Sequence, residues 1–179
     1  REGQIIEQGS HDLLLAQGTQ VALCPRSNAV IGLDRAPVAD YLREGHEIAV
    51  GTDSLASSPS LDLMADVKEL AVIARAQGYD ADDLFARLIR AATVGGARAM
   101  GLADGYGRLV RGGPADLAVF ALGVSGDKVE QALVERAEGA CVLTMAAGRV
   151  LFDARQTAAS SDPARVLDTF AKGDCDARH

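Results

Sequence analysis

The stretch "AVGTDSLASS" (Ala49–Ser58) decides how the chain is read. It completes an apolar run, Glu47–Gly51, that reads as a buried strand stopped by a glycine. A carboxylate, Asp53, follows at once, flanked by the hydroxyls of Thr52 and Ser54. An unpaired charge at the mouth of a buried strand is costly. The acid therefore either caps the next turn or faces something cationic, and spacing alone leaves both open.

A second apolar run, "QVALC" (Gln20–Cys24), lies one unit upstream, ends at Pro25 and leads into "CPRSN" (Cys24–Asn28). Between the two runs "PVADYLREG" (Pro37–Gly45) predicts a short helix, with Pro near its start and Gly at its end. Strand–helix–strand of this length predicts parallel neighbours whose carboxyl ends share one rim. In a βα barrel reactive groups gather at that rim.

Downstream, Leu63, Val67, Leu70 and Ala74 recur at steps of three and four and predict a helix over Ser60–Gln77, closed by Gly78. "DADDLFARLIRAA" (Asp80–Ala92) predicts another, and "TVGGARAMGL" (Thr93–Leu102) a short helix of small, close-packing residues. After Gly101 the texture turns to strands and turns, over Gly107–Leu122 and Ala140–Ala154. At the amino end, Gly3–Gly9 predicts a strand and Ser10–Gly18 a leucine-rich helix; near the carboxyl end, "PARVLDTFAKG" (Pro163–Gly173) has weak helical character.

The chain has 179 residues, 48% of them hydrophobic, enough for a sizeable core. Its three Tyr and four Phe are scattered, Trp is absent, and the net charge is −7. A base-stacking platform is hard to build from these, and acidity disfavours nucleic acid or an anionic membrane as partner. Cys24, Cys141 and Cys175 are widely spaced with no CxxC, so no disulfide framework is expected and the reducing cytoplasm is the expected compartment. No apolar run reaches membrane-spanning length and no leader is visible. The chain opens at Arg1 without Met, which leads us to expect a further upstream portion.

"VALCPRSNAVIGLDRAPVADYLREGHEIAVGTDSLASSPSLDLMADV" (Val21–Val67) resembles the last quarter of the barrel in the amidohydrolase superfamily. The similar branch holds cytosine and guanine deaminases, chlorohydrolases and nucleoside-type deaminases. "ATVGGARAMGL" and "GRLVRGGPADLAVFAL" resemble that branch's exit helix and its return to a β-sandwich. The wording is most similar to aminodeoxyfutalosine deaminases of menaquinone biosynthesis. The resemblance implies an α/β chain: the carboxy-terminal part of a (β/α)8 TIM-type barrel followed by strands of a small β-sandwich. On this division residues 1–9 are a β-sandwich strand, 10–105 the last part of the barrel, 106–155 β-sandwich strands and 156–179 a tail. The segment Arg1–Gly18 also resembles the end of ABC-transporter ATPase domains, although the chain has no GxxxxGK[ST] phosphate loop.

The resemblance further implies a metal-dependent aminohydrolase acting on aminated purine-like nucleosides. Its divalent metal is zinc, with iron second, and its substrate is a small molecule. Asp53 matches the residue that both binds metal and takes a proton. Ser27 and Asn28 match a polar pair bracing that aspartate or the substrate rim, against a plain turn after Pro25. Ser54 braces Asp53 or caps the next segment, and Arg26 meets an acidic substrate group or lies free on the surface. A homo-oligomer is also implied. Hydrolysis of a cyclic amide or carbon–halogen bond at the same site, or a non-catalytic interaction module, are the alternatives.

The departures from the pattern are large. The family's His-x-His pair and later single histidines have no counterparts; the chain has only His11, His46 and His179. His11 reads as a solvent-facing or capping residue, His46 as an exposed loop residue, and Cys24 as a small buried hydrophobe. A catalytic zinc takes three protein ligands, and a barrel of this kind takes about 250 residues. The chain by itself is therefore expected to be inactive.

Overall fold

The computed structural model describes Leu13 and residues 16–159. The expectations for Gly3–Gly9, His11, Pro163–Gly173, Cys175 and His179 lie outside the described residues. Strands β1 (Val21–Leu23) and β2 (Ile48–Val50) pair in parallel, with Val21 opposite Ile48 and Leu23 opposite Val50. They are shorter than the apolar runs that announce them. The Gly51 N–H extends the ladder to the Leu23 carbonyl at 2.9 Å. Between them run helices α1 (Pro25–Val30) and α2 (Val38–Arg43). The "CPRSN" segment is thus no Ser or Asx turn: it enters a helix at once, with Pro25 in the first turn, where its missing N–H costs nothing.

Helix α3 (Leu63–Ala76) starts later than the periodicity suggests, because Asp62 and not Ser60 is its cap. Asp62 Oδ1 accepts the Met64 N–H at 3.0 Å and its Oδ2 accepts the Gly139 N–H at 2.7 Å, which ties the helix start to a distant loop. The face carrying Val67, Leu70 and Ala74 is fully buried and packs with Val38, Tyr41 and Leu42 of α2. Burying Val67 and Leu70 contributes about 1.5–3 kcal/mol each.

The two helices expected over Asp80–Leu102 are one continuous rod. Helix α4 (Leu84–Arg90) runs through a π-helical turn (Ala91–Gly95) into α5 (Gly96–Ala99). The reason is contact with β2. A Cβ built on Gly95 would lie 2.1 Å from the Ile48 carbonyl oxygen, so only glycine lets the helix lie this close to the strand. On the same strand's amino side, Glu47 pairs with both Arg90 and Arg98.

His46 corrects its expectation. It is buried, at 4% exposure, because Gly45 adopts φ +81° and folds the turn back beneath the strand. Its ring meets Tyr41 edge-on at 5.3 Å, and Nε2 lies 3.2 Å from a Glu44 carboxylate oxygen.

The remaining described strands, β3 (Leu117–Phe120), β4 (Cys141–Ala146) and β5 (Arg149–Asp153), form an antiparallel sheet in that order. Of the expected strand segment Gly107–Leu122 only the last part is extended. Between β3 and β4 stands a helix that the sequence reading omitted, α6 (Val129–Arg136), which buries Ala132 and Val134 against α3 and α4. Helix α7 (Ala154–Ala159) follows β5. Among the described residues no helix is long and apolar enough to cross a membrane.

Gly95→Ala is predicted to lower stability by about 3 kcal/mol, the upper end of overpacking costs. At the next position, Gly96→Ala would place its Cβ 3.7 Å from the Ala91 carbonyl oxygen, an ordinary contact. That variant is predicted to gain about 0.5–1 kcal/mol from helix propensity. Paired urea denaturation curves check both signs.

Candidate metal-facing aspartate at the strand rim

The parallel register brings the ends of β1 and β2 level, and α1 and the loop after β2 leave from the same edge. Asp53 therefore meets Ser27 across the rim. The Ser27 hydroxyl lies 2.8 Å from Asp53 Oδ2, and the Ser57 hydroxyl lies 2.9 Å from the same atom. The two serine oxygens are themselves 2.8 Å apart. Two hydroxyl hydrogens thus serve three short contacts. Asp53 Oδ1 accepts the Ser54 N–H at 2.8 Å.

The backbone of Asp53 is left-handed, with φ +60°. For a residue other than glycine this costs roughly 1 kcal/mol, and Asp is one of the few that tolerate it. It lets the carboxylate turn back over its own loop while that loop closes. Ser54 accepts the Ala56 N–H with its hydroxyl and the Ser57 and Ser58 N–H groups with its carbonyl. The Ser54 N–H thus donates to Asp53 while the Ser54 oxygens close the turn.

Asp53 is exposed, not buried as the apolar run before it suggested. The strand ends at Val50, and three further residues carry the acid out to the rim. The Ser27 hydroxyl first, then the Ser57 hydroxyl and the Ser54 N–H, hold its carboxyl below the ordinary value of 3.8. It is a preoriented carboxylate, ionised at neutral pH.

Ser27 is fully buried, whereas Asn28 beside it is half-buried and its side chain makes no hydrogen bond among the described residues. Arg26 is given to the scaffold. Its guanidinium donates to Ser60 Oγ at 3.1 Å and lies 3.6 Å from a carboxylate oxygen of Asp66 on α3. The Arg26 N–H donates to the other Asp66 oxygen at 3.2 Å. Arg26 therefore does not lie free on the surface, and the acid it meets is an internal one. Asp66 is fully buried, and its Oδ2 lacks a hydrogen-bond partner among the described residues. Burial, chiefly, pushes its carboxyl above 3.8, while Arg26 opposes the shift.

Sequence reasoning missed Ser57. The signal was there: a hydroxyl four residues after Asp53 in a turn-forming, serine-rich loop. It also missed Asp66, which the helical period places on the buried face of α3.

A divalent cation fits one corner of this geometry. Asp53 supplies an ionised oxygen ligand on an open rim, but the described residues hold no group of three His, Cys, Asp or Glu able to bind a metal. A catalytic zinc takes three protein ligands, so these residues alone do not complete a centre. The large apolar groove beside Leu61, Leu63, Ile89 and Phe120 is elsewhere and does not include Asp53.

Residues 8–173 match the amidohydrolase family. The chain is similar to a 5-methylthioadenosine/S-adenosylhomocysteine deaminase of Natronomonas pharaonis, 35% identical over 128 residues, or 68% of this chain and 29% of that protein. An S-triazine hydrolase of Gordonia rubripertincta is 36% identical over 104 residues, or 58% of this chain and 22% of that protein. Among solved structures, an adenosine deaminase from Xanthomonas campestris with bound zinc aligns at a TM-score of 0.80 and 28% identity, over 95% of this chain and 40% of that one. The chain thus spans less than a third of the curated deaminase it matches.

The two aspartates pull stability in opposite directions with pH. Asp53, held low, contributes above 3.8 and loses that contribution as pH falls through its depressed value. Asp66, held high, contributes fully below 3.8 and loses it as pH rises through its raised value. Asp66→Asn is therefore predicted to gain stability relative to wild type as pH rises from 3.8. Arg26→Ala, which leaves a buried carboxylate without its partner, is predicted to cost about 3 kcal/mol at neutral pH. Urea midpoints across pH measure both.

Proposed function

The chain belongs to the amidohydrolase family, and on that premise we propose that it forms the Asp53 side of a metal-dependent aminohydrolase site. The observation that carries the reading is the braced carboxylate itself: an ionised Asp53, in a left-handed backbone, held by three donors at the carboxyl rim of parallel strands. A merely capping aspartate needs neither the second serine nor the strained backbone. Strain of this kind gathers at functional sites. Zinc is the proposed cation, with iron second, and the zinc bound by the similar Xanthomonas deaminase supports that order.

When bound, such a cation lowers the pKa of water toward roughly 7 and so provides the nucleophile at neutral pH. The work of this chain is to hold the cation at one Asp53 oxygen and to accept the proton released by the attacking water. The Asp53–Ser27–Ser57 triangle has room for that proton. Three contacts share two hydroxyl hydrogens, and a carboxyl protonated at Oδ2 donates to a serine oxygen and fills the third. On its return the proton leaves with the amine as ammonia.

The substrate class we propose is an aminated purine-like nucleoside, which the similar deaminases support. Aminodeoxyfutalosine is the narrower proposal, resting on the wording around "PRSN" and "GTDSLASS". Hydrolysis of a substituent on an s-triazine or similar ring is a second reading, supported by the Gordonia relative.

The test is ammonia release by the full-length protein from 5-methylthioadenosine, S-adenosylhomocysteine, adenosine and aminodeoxyfutalosine, beside an s-triazine. Turnover of at least one nucleoside is expected. Asp53→Ala is predicted to lower it by about a thousandfold or more, since the several kcal/mol that a metal supplies convert at 1.36 kcal/mol per tenfold. Nucleoside turnover unaffected by Asp53→Ala contradicts the site; turnover of the s-triazine alone supports the second reading.

A further inference from the structure

The brace holds both oxygens of Asp53. An ionised carboxylate offers about four lone-pair directions, two on each oxygen. Ser27 Oγ at 2.8 Å and Ser57 Oγ at 2.9 Å lie together on one side of Oδ2, since they are only 2.8 Å from each other. Oδ1 receives the Ser54 N–H, at 2.8 Å. Each oxygen keeps one direction open.

We propose that Ser57, acting with Ser27, is a positioning residue that holds the Asp53 carboxylate in place for the cation. The proposal rests on the reading of Asp53 as a metal ligand. The two serines come from different elements: Ser27 is buried in the helix that follows β1, while Ser57 closes the loop that carries Asp53. Together with the Ser54 N–H on Oδ1 they restrict the rotation of the carboxylate about its last bond. Without Ser57, Ser27 alone leaves that rotation less restricted. The cation then meets a ligand that must be ordered on binding. Partners of this kind, holding a ligand from behind, typically contribute 10–100-fold to metal affinity or activity.

The experiment compares the full-length protein with its Ser57→Ala, Ser57→Thr and Asp53→Ala variants, each loaded with zinc alone. Zinc release to an excess of chelator is timed well below the unfolding temperature, which thermal melts establish for each variant. Ser57→Ala is expected to release zinc about 10–100-fold faster, with kcat lowered and KM unchanged. Ser57→Thr keeps the hydroxyl and is expected to restore release to the wild-type rate. If Ser57→Ala does not fold, Ser57→Gly carries the same test, since it too lacks the hydroxyl and adds no metal ligand. Wild-type release from Ser57→Ala, together with loss of zinc from Asp53→Ala, overturns the positioning role and leaves the site standing. Zinc held equally well by Asp53→Ala overturns the site itself.

Discussion

The level register of two short parallel strands is the constraint on which the rest depends. With Leu23 opposite Val50, the segments leaving β1 and β2 start at the same height. Ser27 and Asp53 then meet at hydrogen-bond distance. A slip of one residue would displace one partner by about 3.3 Å and turn the strand's side chains over. Gly51 guards the register from above: its N–H adds a rung to Leu23, and a Cβ there would press to 3.1 Å of the Cys24 sulfur.

The helical frame holds that register from behind. The π-helical turn brings Gly95 against the Ile48 carbonyl, so the rod formed by α4 and α5 is seated directly on β2. Arg26 and Asp66 join α1 to α3 through a buried ion pair, and Asp62 joins the start of α3 to Gly139. Ser27 follows Arg26 in the same helical turn. The donor that braces Asp53 is therefore placed by a charge pair that never touches it. Burying Asp66 opposes its own ionisation, so this pair gives geometric definition at some expense of stability.

Much of this was legible in the residues. The apolar runs before Pro25 and Gly51 gave both strands, their parallel pairing and the shared rim, because a buried strand needs continuous hydrophobicity; β2 is buried at every position, whereas Ala22 of β1 is exposed. The spacing of Leu63, Val67, Leu70 and Ala74 gave the buried face of α3. The rest hid for identifiable reasons. Asp53 looked buried because its strand is, but the three residues after Val50 carry it to the surface. His46 looked exposed because it sits in a turn; the tertiary fold tucks that turn beneath Tyr41. Helix α6 has eight residues, too few for a period to stand out from a polar background. The continuity of α4 into α5 depends on one glycine meeting one distant carbonyl, which no local pattern records. Ser57 was overlooked because a serine in a serine-rich loop reads as turn chemistry until its partner across the sheet is known.

Family membership and the rim geometry are separate observations, the first of the whole chain and the second of one carboxylate. The central claim is that Asp53, held by its serines, faces a divalent cation. A crystal structure of the zinc-loaded full-length protein, with zinc located by anomalous scattering, tests this most directly. Zinc is predicted about 2.0–2.2 Å from an Asp53 carboxylate oxygen, with Ser27 and Ser57 still at hydrogen-bond distance from Oδ2. Zinc bound away from Asp53, or an Asp53 side chain turned off the rim with zinc in place, would contradict it.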